Sequence, residues 1–337
     1  TKGIWGKGKS LPSIYGASEP QMNANNLRTK GYELVLGWRD SFKLAGSTFS
    51  YGITGTFSDY TAEYTKCDNP TGLIGDPYVG KKYGEIWGYK VDGLFRNDKE
   101  AAEYASRIDL STVASGYYTA TGAYGKGVRG GDIKYLDLNG DNIVNGGKGT
   151  LDDPGDRRVI GNSSPRYQYG ASLNFSWYGF DVSVFMQGIG RLDWYPGADN
   201  LRFWGPYCRP YATFVPKNFM SQVWSEENPD AYFPRARAYT SLNSNSGTAY
   251  YTNDRYLQNL AYCRLKNLTI GYTIPRRLTS KVGIKECRIY FSGENLATWS
   301  ALKSDFLDPE QAAADSDKKA NVYPWCKTYS IGLNLTF

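Results

Sequence analysis

The last nine residues of the chain alternate between large apolar and small polar side chains without a break. The apolar side chains share one face, and they are Tyr329, Ile331, Leu333, Leu335 and Phe337. Successive side chains of a β-strand point to opposite faces, so this period of two predicts a strand. An apolar face opposite a small polar face suits a wall with lipid on one side and water on the other. An edge strand of a soluble sandwich would show the same short pattern, so the rest of the chain must decide.

The same alternation recurs in three earlier pairs of segments. They are residues 32–39 with 49–57, residues 167–177 with 180–187, and residues 267–274 with 289–291. Together with the last segment they predict seven strands. On these strands the pattern assigns an outward, apolar face to a set that includes Leu173, Phe175, Val182, Leu268 and Ile270.

The connections between the predicted strands alternate in length. Short turns follow the first, third and fifth strands, near residues 40–46, 178–179 and 275. Long loops follow the second, fourth and sixth strands, at about residues 59–165, 188–258 and 298–325. Barrels of the bacterial outer membrane have short periplasmic turns and long extracellular loops, whereas a soluble sandwich gives no reason for this segregation. We therefore predict an all-β chain that forms part of a transmembrane antiparallel β-barrel, with Phe337 at the periplasmic side.

The first long loop has weak periodicity, but two parts of it carry a local signal. Residues 84–95 are predicted to hold short strands, and residues 99–108 a short helix. A loop of this length inside a compact domain is usually functional.

The composition agrees with strands rather than membrane helices. No run approaches the roughly 20 apolar residues that a spanning helix needs, and the mean hydropathy is -0.52. The 29 Tyr, 9 Trp and 14 Phe, with 38 Gly, are typical of an all-β chain and could form aromatic girdles at two membrane interfaces. The net charge of +6 arises from interspersed charges, which argues against a nucleic-acid-binding surface.

Two residue types limit the chemistry that the chain can perform. There is no His, which excludes His-based acid–base catalysis and most zinc sites. The five cysteines are widely spaced without a CxxC pair, and they are Cys67, Cys208, Cys263, Cys287 and Cys326. A disulfide between Cys67 and Cys208 would require both to lie outside the cell. No catalytic residue is predicted.

Several stretches resemble the C-terminal part of the SusC/RagA family of TonB-dependent outer-membrane transporters. The most specific match is Gly131–Asp141, which continues through Asp156–Arg157 and Val159–Asn162. Further matches lie before and after this motif, and they occur in the same order as in the family. They are Leu11–Pro12, Gly31–Leu34, Pro165–Tyr167, Tyr262–Leu268, Gly271–Pro275, Ser292–Leu296, Asp308–Glu310 and Tyr323–Pro324. The resemblance covers essentially the whole chain.

The resemblance implies that the chain is about the last third of a barrel of the 22-stranded class, in the bacterial outer membrane. It also implies a plug domain and a TonB-contacting segment outside this chain, and a SusD-like surface lipoprotein as partner. Family members import oligosaccharides or, in some cases, oligopeptides. Seven strands cannot close a barrel alone, so the remaining part of the same barrel must be present in the working particle. The start at Thr1, without a Met or signal peptide, leads us to expect a longer polypeptide.

The last strand has a second expected role. An amphipathic final strand that ends in Phe resembles the signal by which bacterial outer-membrane barrels are recognised for assembly. We therefore predict that residues 329–337 form an assembly signal, with Phe337 at its end.

Residues 137–145 carry the first half of a calcium-binding loop. The ligands at positions 1, 3, 5, 7 and 9 would be Asp137, Asn139, Asp141, the carbonyl of Ile143, and Asn145. Calcium here would be structural, because nothing in this segment suggests catalysis.

Two positions depart from the calcium pattern. Asn142 replaces the glycine of position 6, although Asn tolerates a left-handed backbone. Lys148 stands at position 12 and cannot bind a cation. The family resemblance gives that role to Asp156, with Asp152 and Asp153 as alternatives. The competing interpretation is a solvated polar turn held by Asx hydrogen bonds.

The second long loop is rich in aromatic residues that could stack on sugar rings or contact peptide side chains. The candidates for substrate binding are Trp194, Tyr195, Trp204, Tyr207 and Tyr211. Nearby cations that would favour anionic ligands are Arg202, Arg209, Arg235 and Arg237. The alternative is that these aromatics pack the loop against itself or against the lipoprotein.

The predicted function is import of oligomeric nutrients, most often oligosaccharides, with oligopeptide import as the alternative. Two other classes stay open, namely an enzyme such as an outer-membrane esterase or protease, and an adhesive or purely structural barrel. An enzyme would show measurable turnover, and an adhesin would show no energy coupling and no plug.

Overall fold

The computed structural model of the chain describes residues 1–7, 14, 16, 21–119, 127–208, 211, 215–237, 242, 247–314, 323 and 325–337. Strands predominate among the described residues and helices are few. The strands are β1 Ile4–Lys7, β2 Gln21–Leu44, β3 Ser47–Lys66, β4 Glu85–Tyr89, β5 Val91–Leu94, β6 Ile133–Tyr135, β7 Arg157–Asn162, β8 Arg166–Trp177, β9 Phe180–Arg191, β10 Asp193–Trp194, β11 Gln258–Asn259, β12 Tyr262–Thr273, β13 Glu286–Ser300 and β14 Thr328–Thr336. The helices are α1 Asp98–Ala105, α2 Ser115–Thr119, α3 Leu201–Trp204 and α4 Arg276–Thr279.

One antiparallel sheet contains all seven predicted strands. Its order is β1-β2-β3-β8-β9-β12-β13-β14, so strands that follow each other along the chain are neighbours. The short β1 is an addition that the sequence did not predict. The all-β prediction is confirmed, and the sheet has two open edges among the described residues.

The wall has two chemically distinct faces. One row of neighbouring residues across the strands is apolar, and it runs Trp38, Ile53, Leu173, Val184, Leu268. A parallel row runs Tyr51, Phe175, Val182, Ile270, Phe291, Ile331. The row between them faces the opposite side and is small or polar, and it runs Gly52, Asn174, Ser183, Thr269, Ser292, Ser330. The predicted outward residues therefore share one face.

Aromatic rings bound the apolar face at both ends. At the end near the long loops, the rings of Tyr32 and Phe57 lie 6.0 Å apart and those of Phe57 and Tyr167 lie 6.5 Å apart. At the other end Phe42 and Phe49 lie 5.3 Å apart. Tyr32 and Phe42 are ten residues apart on β2, which is about 33 Å along a strand and about 25 Å in height at a tilt of ~40°. This height matches the apolar band of an outer-membrane barrel.

Two short turns close the wall at the end away from the loops. The pairs Leu44–Ser47 and Trp177–Phe180 each close a two-residue hairpin. Both central residues have positive φ, at 48° and 85° for Ala45 and Gly46, as type I′ turns require because these turns match the twist of the strands. The indole of Trp177 donates to the Leu44 carbonyl at 3.2 Å, which ties the two turns together.

Several strand boundaries differ from those predicted. β2 and β3 continue to Gln21 and Lys66, well beyond the apolar band, so the first long connection begins after residue 66 rather than near residue 59. β9 likewise continues to Arg191, and β13 extends from Glu286 to Ser300. Beyond the band both faces meet polar surroundings, so the apolar alternation that marks a strand in the sequence is lost.

The long loops fold into one body instead of remaining extended connections. Buried side chains from residues 89–144, from residues 192–260 and from residues 307–312 form a single hydrophobic cluster. We call this cluster and its supporting segments the loop body. The predicted short strands within 84–95 are β4 and β5, and the predicted helix at 99–108 is α1 at Asp98–Ala105. Among the described residues no helix combines the length and apolar character that crossing a membrane requires.

The final strand lies at an edge of the wall with its apolar face exposed. β14 pairs with β13 alone, and Tyr329, Ile331 and Leu333 are 63%, 84% and 56% exposed. Leu335 and Phe337 are also exposed, and Phe337 follows the last residue of the strand.

We expect deletion of Phe337 to lower the amount of folded barrel in the outer membrane, because the deletion removes the terminal aromatic of the predicted assembly signal. Surface labelling and heat-modifiable gel mobility of the full-length protein would measure this. The control is Thr336→Ser, which keeps the length and the terminal Phe. Unchanged surface levels in the deletion would contradict the assembly role.

Candidate functional site

Four of the five aromatics predicted to bind substrate lie in the interior of the loop body. Trp194, Tyr195, Trp204 and Tyr207 are between 0% and 5% exposed, whereas Tyr211 is 81% exposed. Their ring faces contact other parts of the chain, so this placement argues against direct substrate contact for the four buried residues. Among these five, the exposed Tyr211 keeps its place as a candidate for substrate contact.

The buried aromatics form the packing centre of the loop body. The indole of Trp204 lies 4.8 Å from the ring of Phe203 and 5.0 Å from that of Tyr256. Tyr207 stacks on Phe233 at 5.8 Å and donates a hydrogen bond to the carbonyl of Pro234 at 2.5 Å. Aromatic pairs at these distances contribute beyond their buried area. These four residues therefore pack the loop against itself, which is the alternative that the sequence left open.

The most specific family motif, Gly131–Asp141, ties the first long loop to the second. Asp132 is fully buried and accepts two hydrogen bonds from Arg237, at 2.9 and 2.6 Å. Arg237 is itself 3% exposed, and its guanidinium lies 4.2 Å from the ring centre of Tyr117. Burial raises the pKa of Asp132 to about 6, against the opposing attraction of Arg237. The carboxyl and the guanidinium form an ion pair in the interior of the loop body.

The neighbouring arginine makes a second tie to the same motif. Arg235 donates to the carbonyl of Gly130 at 2.5 Å and stacks over the indole of Trp224 at 4.5 Å. Gly131 has φ +86°, and a Cβ there would lie 2.4 Å from the Trp224 ring, so only glycine fits. The predicted positive surface is therefore corrected for Arg235 and Arg237, which hold the loop body together. Arg202 also has partners within the chain, and Arg209 lies outside the described residues.

Two other motifs, far apart in sequence, meet on the inner side of the wall. Arg264 of β12 is 2% exposed and donates to Asp308 at 2.7 Å and to Glu310 at 2.8 Å. Lys266 donates to the same Glu310 at 2.7 Å, and its ammonium lies 4.9 Å from the ring of Trp325. These contacts anchor the third loop to the wall.

The predicted calcium segment forms a tight turn. The two carboxylate oxygens of Asp137 accept from the N–H groups of Gly140 at 2.7 Å and Asn142 at 2.9 Å. Asn142 has φ +64°, which is the left-handed conformation expected of position 6. Asp141 accepts from the Ile143 N–H at 2.8 Å. Such bonds are those of an Asx turn, and each carboxylate oxygen retains a lone pair.

Asp156 closes this turn from the opposite side. It is fully buried and accepts from the N–H groups of Leu138 at 2.7 Å and Asn145 at 2.9 Å. Among the described residues it belongs to no ion pair, and no cluster of three or more Cys, Asp or Glu side chains is arranged to hold a metal. The three carboxylates of the predicted ligand set, Asp137, Asp141 and Asp156, therefore do not form such a cluster.

A cavity of about 430 Å³ lies where the loop body meets the wall. It is lined by residues of β3, β7, the turn into β4, the start of β8 and the end of β9. They include Tyr60, Lys82, Tyr83, Glu85, Arg166 and Arg191. The sequence gives no sign that these charges form one site, because they are far apart along the chain and meet only in the fold. We call this cavity the foot cavity.

The cysteines give no cross-link. All five lie in the described part of the chain, and no disulfide joins Cys67 to Cys208.

The similarity of this chain to known proteins extends over nearly its whole length. The TonB-dependent receptor P3 of Formosa agariphila is 24% identical over 98% of this chain, and the receptor P26 of the same organism is 26% identical over 97%. The chain is a homologue of the TonB-dependent receptors. It spans 30% and 31% of the lengths of these two relatives. No family model matches the chain.

Two solved structures share the fold of this chain. The RagAB peptide importer in its open-open state superposes with a TM-score of 0.60 at 16% identity, covering 100% of this chain and 31% of that chain. The structure titled as the RagAB peptide transporter gives a TM-score of 0.58 at 17% identity over 97% of this chain. The resemblance indicated by the motifs is confirmed, and with it the transporter-barrel fold and the outer-membrane location.

Proposed function

We propose that this chain forms the wall and loop body of an importer of oligomeric nutrients. The observation that carries the proposal is the two-faced antiparallel wall, with a folded loop body at one end and short turns at the other. A polar inner face, opposite an apolar outer face bounded by aromatic girdles, suits a water-accessible path through lipid. Energy would arrive through the TonB complex, which contacts a part of the receptor outside this chain.

Oligosaccharides are the proposed substrates, and oligopeptides are the second candidate. The peptide alternative is supported by the similarity to structures titled as a peptide importer. In both cases a SusD-like surface lipoprotein is the proposed partner, seated over the loop body at the mouth of the barrel. The relatives are named receptors and transporters, which supports a role without catalysis.

Uptake by cells tests the import proposal. A strain with the complete receptor gene deleted would be compared with its parent for growth and uptake on defined oligosaccharides and oligopeptides as sole carbon or nitrogen sources. We expect one class of oligomer to require the receptor, and its uptake to stop when the proton gradient is collapsed. Equal uptake of every oligomer by both strains would contradict the import function.

We also propose a structural calcium ion at residues 137–156. Two features of the turn support the proposal, namely the left-handed Asn142 and the buried Asp156, which accepts from the N–H groups of Leu138 and Asn145 on the two arms of the turn. When bound, calcium would offset the repulsion between the carboxylates and order the turn before β7 and β8. Sites of this kind on extracellular modules have Kd values of ~10⁻⁴–10⁻³ M.

The double variant Asp137→Ala plus Asp141→Ala tests the calcium site. We expect chelation to speed proteolysis of this loop severalfold in the wild-type receptor, and the double variant to be cleaved at that faster rate with or without calcium, while the barrel still assembles. The matched control is Glu226→Ala plus Glu227→Ala, which removes two loop carboxylates away from the turn. If chelation changes the cleavage rate of neither the wild type nor the two double variants, the segment is an Asx turn without calcium.

A further inference from the structure

The foot cavity brings together three cationic side chains from separate parts of the chain. Arg166 and Arg191 are directly opposite each other on β8 and β9, and Lys82 lines the same cavity from the turn before β4. Like charges directly opposite on neighbouring strands are destabilising unless counter-charges accompany them. The fold therefore places three cations around one cavity of about 430 Å³, within the volume range of ligand sites.

The two arginines are held in place by carboxylates behind them. Asp59 accepts from Arg166 Nε at 2.5 Å and from Nη2 at 2.6 Å. Asp193 accepts from Arg191 Nη2 at 2.9 Å and also from the Asn162 N–H. In each guanidinium the Nη1 group makes no hydrogen bond within the described residues, so both arginines keep donors for a ligand.

The acceptors that line the cavity are already engaged. Glu85 is the carboxylate among the lining residues, and its oxygens accept from the Lys82 N–H at 2.9 Å and the Tyr78 hydroxyl at 2.6 Å. The side-chain oxygen of Asn162 accepts from the Ser164 N–H at 2.7 Å. The Lys82 ammonium, by contrast, makes no hydrogen bond or ion pair within the described part of the chain. The unused groups of the cavity are thus mainly donors and cations.

The cavity lining lies partly on the inner side of the wall, although Tyr167, which also lines it, stacks with Phe57 of the outward face at 6.5 Å. Tyr60 alternates with Phe57 and Asp59 on β3, and Arg191 alternates with the outward Val182 and Val184 on β9. Both therefore lie on the face opposite the lipid-facing rows. The rings of Tyr60 and Tyr83 add apolar surface beside the cations, which suits a sugar ring or an aliphatic stem that carries an acidic group.

We propose that the foot cavity binds a carboxylate or sulfate group carried by the imported oligomer. The proposal rests on the proposed import function. Arg166, Arg191 and Lys82 supply the donors, and charge-assisted bonds of this kind are stronger than neutral ones. The site would select acidic oligomers over neutral ones of the same length. A phosphate of a lipid headgroup has related chemistry, but the inward position of Tyr60 and Arg191 favours the substrate.

Binding to the purified full-length receptor tests the site, with two matched pairs of probes. The pairs are trigalacturonate with galactotriose, and the peptide Ala-Glu-Ala with Ala-Gln-Ala. We expect the acidic member of at least one pair to bind more tightly, and Lys82→Gln to weaken that binding roughly tenfold. The neutral member should change less than twofold. Lys82→Gln keeps the backbone bond to Glu85, so the cavity wall is preserved.

Lys99→Gln is the matched control, because Lys99 is exposed on α1 outside the cavity. It should leave all four affinities unchanged. Equal loss in both lysine variants, or acidic binding that survives Lys82→Gln and Lys82→Glu, would overturn the proposal. If Lys82→Glu lowers the amount of lipopolysaccharide that copurifies with the receptor but leaves probe binding unchanged, the cavity binds lipid phosphate. That result would also overturn the proposal.

The uptake experiment separates this site from the import function. Loss of acidic-oligomer uptake in Lys82→Gln, with neutral uptake intact, supports both proposals. If the wild-type receptor imports no oligomer but the purified protein shows the Lys82-dependent preference, then the import function fails and the anion site stands.

Discussion

The variant Leu173→Arg should destabilise the barrel by ~2–4 kcal/mol, because it places a cation on the lipid-facing side near the middle of the bilayer. Leu173 lies in the apolar row between Ile53 and Val184, and no polar side chain of that row could pair with the new charge. Urea unfolding of the full-length receptor in liposomes, followed by tryptophan fluorescence, measures the change.

The next residue on the same strand provides the control. Asn174 lies between Gly52 and Ser183 in the polar row, which faces the opposite side. Asn174→Arg should change stability much less, since substitutions facing the lumen mainly affect selectivity. Equal destabilisation by the two variants would mean that the face assignment is wrong.

The second large effect is expected from Asp132→Ala in the loop body. The substitution removes the carboxylate that pairs with the buried Arg237, and breaking a buried pair from one side typically costs 3–5 kcal/mol. Because Asp132 and Arg237 join the first and second long loops, the loss should appear as opening of the loop body while the wall stays folded. Hydrogen exchange of residues 89–144 and 192–260 would report it.

Asp92→Ala is the matched control, since Asp92 pairs with Lys134 but its side chain is 61% exposed. Exposed pairs contribute about 0–1 kcal/mol, so exchange in the loop body should remain nearly unchanged. Protection in Asp132→Ala equal to that in the control would contradict the role of the buried pair.

The wall could be predicted from the sequence because each strand carries its own signal. Where lipid covers one face and polar groups cover the other, apolar alternation marks the strand, as at Leu173–Trp177. The extensions of β2 to Gln21 and of β3 to Lys66 were missed because the alternation ends with the apolar band. Local signals also sufficed for α1, where Asn97 caps the helix by accepting from the Glu100 N–H.

The loop body could not be predicted, because its contacts join residues that are distant in sequence. Asp132 and Arg237 are 105 residues apart, and Arg264 and Asp308 are 44 apart. An isolated Arg or Trp in a long loop carries no local sign of burial. For this reason the sequence leaves two roles open for Trp204 and Tyr207, substrate contact and packing of the loop, and the fold buries both in the loop body. The same limit hid the foot cavity, where Lys82, Arg166 and Arg191 come together only through the sheet.

The most direct test of the wall is the environment of a nitroxide placed in turn at each of residues 171–176. The full-length receptor would be reconstituted in liposomes, with the five cysteines of this segment replaced by Ser. The account predicts frequent collisions with oxygen at residues 171, 173 and 175, and with a water-soluble nickel complex at residues 172, 174 and 176. Accessibility that does not alternate, or that alternates in the opposite sense, would contradict the lipid-facing wall.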